Sequence, residues 1–448
     1  MVTVFCYFIN CVLLHAIIYA IVPYHLYLTL SNYVLGEAQA YTFIPLVMLG
    51  MYNVLYNKKW IMLAVGMSFM AYCHYVSLFI SIELCAAILV IYWIQERKIT
   101  LLPIINILKA IGLFLVLSLW QFIPLMTDYF HKGLVRPTSG FTLIESAGDF
   151  VVSAINNDAL NRGGIGLLLL ISIMVGWKQI NRNSVYMWIY TLGVLLTWMI
   201  TTAFPWKYLV KTPLSIIQFP YRYTSFAAFF LAIVLSKLLF NVHFDKIPLF
   251  TKSVLIGIIL LTLYGGSIYN DYFRNKGDLP DISRLTHAQR GSYRTLRDAK
   301  DTPLLIDNRH YNDQFSYGAL YGETDYMPMN AFNKSKSVLN RVVLVDNKRS
   351  SSKVNMKTSP NSITYRIYLN KGSMVDLPVL AYKHTLVRIN HHTIKTRVSD
   401  RGTVCSHLNA GQNTISVTYK TSHILVIARI VSLLSWISLI FLKLRKMR

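Results

Sequence analysis

The sequence predicts a polytopic α-helical membrane protein of about ten spans, with an extracytoplasmic α+β domain that contains a β-sandwich. Three observations carry this reading. The 448 residues are 54% hydrophobic and only 14% charged, where soluble chains carry about a quarter charged residues. Apolar runs near the roughly 17–25 residues needed to cross a bilayer recur along the chain. Beyond Ser337 the pattern changes to strand-like alternation punctuated by turns.

Spans are read at 2–22, 38–56, 60–73 paired with 75–94, 103–123, 164–180, 184–203, 222–240, 253–270 and 423–442. The 60–94 run is too long for one helix. It breaks in "AYCHYVSL", where His74 caps or hydrogen-bonds the kink of a helical hairpin. Met1 enters apolar sequence with no basic n-region, so the start is a first span rather than an ordinary signal peptide.

Basic residues set the orientation. Lys58, Lys59, Arg97, Lys98, Lys178, Arg182, Lys237, Lys246, Lys252 and the tail "KLRKMR" fall on one set of connections, which is assigned to the cytoplasm with both termini. The loops at 23–40, 124–163 and 204–222 then lie outside, as do residues 271–421. The organisation is a transmembrane domain at 1–270, an extracytoplasmic mixed segment at 271–336, a β-sandwich at 337–421, and a final span with a basic tail at 422–448. Within the sandwich, "SITYRIYL", "TLVRINHHTIKTRV" and "NTISVTYK" read as strands, with Asn-Lys-Gly and Asn-Ala-Gly turns between them.

The formal net charge of +24 suggests an anionic partner. The charges are scattered and no nucleic-acid motif is present, so membrane lipid or cell-surface polymer is favoured over nucleic acid. Of five cysteines, Cys405 alone lies in the large polar region, leaving that region without an internal disulfide. This fits a bacterial cell membrane. His384, His391, His392 and His407 are read as surface residues, because adjacent histidines on a strand face opposite ways and cannot share one ion. No metal ligand set is assigned, and a divalent cation is left open.

Glu37 is the leading carboxylate, at the outer head of the second span after Gly36. A plain helix N-terminal acid is an equal alternative, but acids beside apolar sequence at membrane depth are expensive. His25 and Tyr27 flank the same loop, where such residues also serve as interfacial anchors. Asp128, Glu145, Asp149 and Asp158 read as solvated loop charges. Arg222 follows Pro220 and lies between Tyr221 and Tyr223. Broken backbone at membrane depth is tolerated where it lines a cavity or is buried. Arg429 lies a turn or two inside the last span and is expected to pair or to snorkel to headgroups.

Several stretches together resemble a family. "YAIVPYHLYLTLSNYVLGEAQAYTFIPLVMLG", "QFPYRY", "YGETDYMP" and "VRINHHTIKTRVSDRGTVCSHLNAGQNTISVTYK" resemble, in that order, motifs of the bacterial 6-pyruvoyl-tetrahydropterin-synthase-related and YfhO-like integral membrane proteins. Those are similar to GT-C glycosyltransferases. The resemblance implies a GT-C-like fold using or binding a polyprenyl-phosphate sugar donor, with a cell-surface glycan acceptor. Glu37 would then be catalytic, and His25, Tyr27, Tyr221, Arg222, Tyr223 and Arg429 would bind substrate. "PYHL" begins at residue 23, so the family's N-terminal helices and acidic first outer loop have no counterpart. That departure leaves a non-catalytic lipid-linked-sugar binder or scaffold as the alternative, with a transporter or flippase as a third class.

Overall fold

The computed structural model describes residues 12–31, 34–129, 133, 141–159, 164–182, 184–241, scattered positions within 251–269, and 327–350, 354–359 and 361–447. The expected span at 2–22 lies partly outside these residues. So do parts of the loop at 124–163 and of the span at 253–270, and most of the segment 271–336, including most of "YGETDYMP". The chain divides into two compact units, Met1–Ser118 with Thr138–Lys276, and Leu119–Pro137 with Gly277–Arg448.

The first unit is helical. Its elements are α1 (Val12–Ala20), α2 (Pro23–Leu26) continued by a π-helical turn Tyr27–Ser31, α3 (Leu35–Tyr56), α4 (Ile61–Cys73), α5 (Tyr75–Glu96) and α6 (Leu101–Leu117). In the second unit α7 (Leu119–Pro124) comes next. The first unit resumes with α8 (Ala147–Ile155), α9 (Leu167–Gln179), α10 (Val185–Ile200), three 3-10 turns at Trp206–Tyr208, Pro213–Ile217 and Pro220–Tyr223, and α11 (Thr224–Asn241).

Four stretches are long and apolar enough to cross a membrane: Leu35–Tyr56, Tyr75–Glu96, Pro220–Leu239 and His423–Arg445. Two bent pairs raise the number to six. The described residues therefore give four to six spans rather than ten. The 13 residues of α4 and the 16 of α10 extend only about 20 and 24 Å at 1.5 Å per residue, short of a core about 30 Å thick. The stretch at 103–123 is a second difference. It is divided at Ser118, where α6 ends in the first unit and α7 begins in the other. The α1–α2 bend of 49° falls at Pro23, whose ring and missing N–H stop the preceding helix.

Close backbone contacts bind α3 to α4. A Cβ on Gly50 would lie 2.6 Å from the Leu63 backbone, and one on Gly36 would lie 2.7 Å from the Cys73 carbonyl oxygen. Only glycine fits such an approach. The second contact seats the start of α3 on the hairpin tip between α4 and α5. At the other end, Tyr56 of α3 reaches Gln95 of α5 (Oη to Oε1, 3.5 Å). Thus α3 and α5 run in the same direction. Because Arg222, just before α11, meets Glu37 at the start of α3, α11 runs that way too.

The second unit ends in two five-stranded antiparallel sheets. Before them come the short helices α12 (Met329–Asn333) and α13 (Ser335–Leu339). The strands are β1 (Leu344–Val345), β2 (Lys348–Arg349), β3 (Asn355–Ser359), β4 (Ser362–Leu369), β5 (Ser373–Leu380), β6 (Thr385–Ile389), β7 (His392–Ile394), β8 (Arg397–Val398), β9 (Thr403–Leu408) and β10 (Gly411–Tyr419). Their orders are β2-β1-β5-β9-β8 and β3-β4-β10-β6-β7. Alternate residues of both sheets, among them Tyr365, Ile367, Val387 and Ile415 from one and Val375, Leu377, Val404 and Leu408 from the other, form one core. The period-2 pattern of "SITYRIYL" matches β4 residue for residue.

A buried ion pair ties this unit together. Arg401 Nε donates to Asp376 Oδ2 at 2.8 Å and Nη2 donates to Asp376 Oδ1 at 3.1 Å, while Nη1 donates to the Val342 carbonyl at 2.8 Å. The Thr403 hydroxyl completes the Asp376 shell. The histidines differ from expectation in one respect. His391 is not on a strand: Asn390 and His391 both have positive φ and form the two-residue turn between β6 and β7, as type I′ hairpins require. His391, His392 and His407 are exposed, whereas His384 is half-buried against the Tyr419 ring. The chain closes with α14 (His423–Met447), whose Leu425, Ala428 and Ser432 are buried. The Trp120 backbone N–H of α7 donates to Ser432 Oγ at 3.4 Å.

Candidate functional site

The site lies at the end of the first unit where α3, α5 and α11 begin. Its approach is the segment 201–223, which holds no α-helix but three short 3-10 turns. In it Gln218 has φ 63° and ψ −49°, and the Phe219 N–H donates to the Ile217 carbonyl at 2.6 Å. This is a γ-turn with positive φ, a strained conformation for a residue with a side chain. It turns the chain into the proline-led 3-10 turn Pro220–Tyr223, which presents Arg222 and Tyr223 to different partners.

Arg222 holds Glu37 through Nε, 3.5 Å from Oε2. That length is an ion pair rather than a hydrogen bond. Nη1 donates to the Ile217 carbonyl at 2.8 Å and to Gln218 Oε1 at 3.3 Å. The guanidinium also stacks over the Phe219 ring at 4.8 Å. Among the described residues Nη2 has no hydrogen-bonding acceptor. Glu37 is 2% exposed, and its Oε1 accepts from the Tyr24 hydroxyl at 2.5 Å. Tyr24 is fully buried and its ring lies 6.2 Å from those of both Tyr27 and Tyr221. Tyr221 in turn stacks on Phe219 at 5.3 Å. The acid, the cation and two of the tyrosines singled out from sequence, Tyr27 and Tyr221, are thus neighbours, joined through Tyr24, which was not singled out. Their assembly uses α2, α3 and the turn before α11.

Tyr223 points to a different acid. Its hydroxyl donates to Glu83 Oε2 at 2.9 Å, while Glu83 Oε1 is buried with no hydrogen-bond partner. The sequence reading passed over Glu83. The signal was present in "FISIELCAAIL", an acid well inside an apolar run, and such residues are functional or structural hypotheses by default. His74 N-caps α5. Its Nδ1 accepts from the Ser77 backbone N–H at 3.3 Å and lies 2.8 Å from Ser77 Oγ. Accepting at Nδ1 places the proton of the neutral ring on Nε2.

His25 is apart from the acid and the cation. Its Nδ1 donates to the Ala20 carbonyl at 2.8 Å, and its ring stacks on Tyr41 at 4.4 Å. It lines a cavity of about 550 Å³ together with Thr29, Gln39, Thr42 and Tyr72, whose lining includes neither Glu37 nor Arg222. Arg429 is on α14 of the other unit, with its side chain exposed. Asp149 is engaged in capping α8: its backbone N–H donates to Ser146 Oγ and its carboxylate accepts from that hydroxyl. The side chain of Asp128 lies outside the described residues.

The arrangement can do two things chemically. It stabilises a carboxylate and a guanidinium away from water by pairing them. It also leaves the donors of Nη2 on a positioned guanidinium without an acceptor among the described residues, a group suited to meet an anion. No protein-family model matches the chain, and it has no match among curated proteins or solved structures.

Proposed function

We propose that the chain is a GT-C-like protein of a bacterial cell membrane that binds a polyprenyl-phosphate-linked sugar at the outer membrane face and acts in cell-surface glycan modification. The supporting observation is the Tyr24–Glu37–Arg222 constellation at the head of membrane-spanning helices, with no acceptor for Arg222 Nη2 among the described residues. In this reading the substrate phosphate binds Nη2 and draws the guanidinium from Glu37. The freed carboxylate accepts the proton of an acceptor hydroxyl as its oxygen bonds the sugar carbon. The sugar–phosphate C–O bond breaks with its electron pair on the phosphate. Residues 271–421 would be extracytoplasmic. The basic ends of the helices would be cytoplasmic, following their lysine and arginine bias.

A second reading has its own support. Arg222 already engages Ile217, Gln218 and Glu37, which suits a cation that locks the segment before α11 in a non-catalytic binder or scaffold. The test is binding of polyprenyl phosphate by the full chain in nanodiscs, compared with Arg222→Lys and Arg222→Gln. Lysine keeps the charge and loses the planar fork; glutamine loses both. The proposal requires binding to weaken from wild type to lysine to glutamine. Equal binding by all three assigns Arg222 to the structural role.

A further inference from the structure

The other end of the helical unit carries a second lipid-shaped feature, unconnected with Glu37 or Arg222. An apolar groove of about 280 Å³ opens between α3, α5, α10 and α11, lined by residues that include Leu49, Tyr56, Gln95, Trp188, Phe230 and Ile233. Leu49, Tyr52 and Tyr56 are each about half exposed along its outer edge. The volume falls just under the roughly 300–1,000 Å³ of ligand cavities, and suits one hydrocarbon chain better than a ring system. Three of its four walls, α3, α5 and α11, are long and apolar enough to span a membrane, so what surrounds it is lipid.

The mouth is polar and basic. Where the groove ends, the Tyr56 hydroxyl meets Gln95 and the Tyr56 ring packs edge-on to Tyr92. Lys58 and Lys59 follow α3, Arg97 and Lys98 follow α5, and Arg182 precedes α10. Lys237 of α11 closes the set. It lies one turn beyond Ile233, and its Nζ stands 5.5 Å from the ring of Tyr186 on α10. Each of the four helices that form the groove therefore brings at least one cation to the same end. Basic clusters between membrane helices recognise anionic headgroups, and aromatic hydroxyls mark the interfacial level.

We propose that this groove is a binding site for an anionic glycerophospholipid of the leaflet at that end, with one acyl chain between α3 and α11 and the phosphate at the Lys237 mouth. The occupant is a bilayer lipid rather than the substrate of the Glu37 site, because the cations that would hold its phosphate are at the opposite end of α3.

The experiment is native mass spectrometry of the full chain, purified and exchanged into detergent containing equimolar phosphatidylglycerol and phosphatidylcholine. Wild type should retain phosphatidylglycerol at least several-fold over phosphatidylcholine. Ile233→Trp, which fills the groove, should abolish retention of both. Lys237→Gln should remove the preference while leaving acyl-chain retention. Circular dichroism of each variant separates loss of the site from loss of fold. Leu49→Trp, on the groove's outer edge, provides a second filling variant should Ile233→Trp misfold. Equal retention of the two lipids by wild type overturns the proposal, as does undiminished retention in a folded groove-filling variant. If free glycerol phosphate displaces phosphatidylglycerol at equal concentration, the acyl-chain groove contributes nothing and the proposal fails.

Discussion

The Tyr223 hydroxyl donates to Glu83 at 2.9 Å, one residue along from the arginine that holds Glu37. One proline-led turn thus fastens a buried acid, Glu37, and a half-buried one, Glu83, on two different membrane-spanning helices. The pairing follows from the 3-10 geometry, which directs consecutive side chains about a third of a turn apart. Arg222 reaches α3, and Tyr223 reaches α5.

Removing that hydroxyl should expose the cost of an unsatisfied carboxyl group. Tyr223→Phe keeps the packing but leaves Glu83 without its donor, and should destabilise the protein by about 1–3 kcal/mol. In a Glu83→Leu background the same change should cost close to nothing, since the partner is gone. Thermal unfolding of the four proteins in one detergent gives the coupling. Equal effects of Tyr223→Phe in the two backgrounds would show that the contact is energetically idle.

The Glu37–Arg222 pair should behave asymmetrically. Arg222→Met leaves a buried carboxylate supported by Tyr24 alone, a loss of about 3–5 kcal/mol for a broken buried pair. At 3.5 Å the pair is longer than a hydrogen bond, so the low end of that range applies. The double variant Glu37→Leu/Arg222→Met removes both charges and should recover part of the loss. A double variant as unstable as the sum of its singles would contradict the pairing. The readout is again the unfolding midpoint in detergent.

These residues differ in how far sequence could reach them. Glu37 and Arg222 stood out because each is a charge beside apolar sequence at a helix start, but their meeting, and the part Tyr24 takes in it, depends on the folded packing of α3 against α11. Gln218 gave no signal: a γ-turn leaves no composition mark, and glutamine is not a residue that positive φ favours. His25 was placed with Glu37 because it is close in sequence. The bend at Pro23 and the stacking on Tyr41 instead face it into a separate cavity. The strands of the C-terminal sheets were legible through their period of two, and the Asn-Lys-Gly and Asn-Ala-Gly turns lie between consecutive strands. The count of about ten spans is not confirmed: the described residues give four to six, and hydropathy does not show that α4 and α10 are short.

Arg401 and Asp376 escaped notice for a related reason, since isolated charges in a strand-rich region read as surface. Asp376 lies on β5 and Arg401 just before β9, and their pair is 2% and 8% exposed by side chain. Arg401→Met should therefore cost the C-terminal unit about 3–5 kcal/mol, because Asp376 keeps its charge without its main partner. Arg401→Lys should recover little, as one ammonium cannot reproduce the donors that reach Asp376 and the Val342 carbonyl together. Limited proteolysis of the full chain, followed with an antibody to the C-terminal tail, reports on this unit. Unchanged protection in Arg401→Met would refute the assignment.

A pH effect should come from the turn between β1 and β2. Asp346 and Asn347 both have positive φ, and Asp346 Oδ1 accepts the Met374 backbone N–H at 2.9 Å. That hydrogen bond lowers the acid's pKa, with help from Ser373 and from the positive charges of Lys371 and His407. A carboxyl group whose folded pKa lies below its unfolded value near 3.9 stabilises the fold fully above that unfolded value. The contribution fades as pH falls through the folded pKa. Asp346→Asn preserves an acceptor and tolerates the left-handed turn, but cannot titrate. Wild type should thus unfold at a higher temperature than Asp346→Asn at pH 6, and the gap should close as pH falls below about 4. Because the group is solvent-exposed, the gap is small and requires matched buffers of constant ionic strength. A gap that persists unchanged down to pH 2.5 would assign the difference to turn geometry and remove the electrostatic explanation.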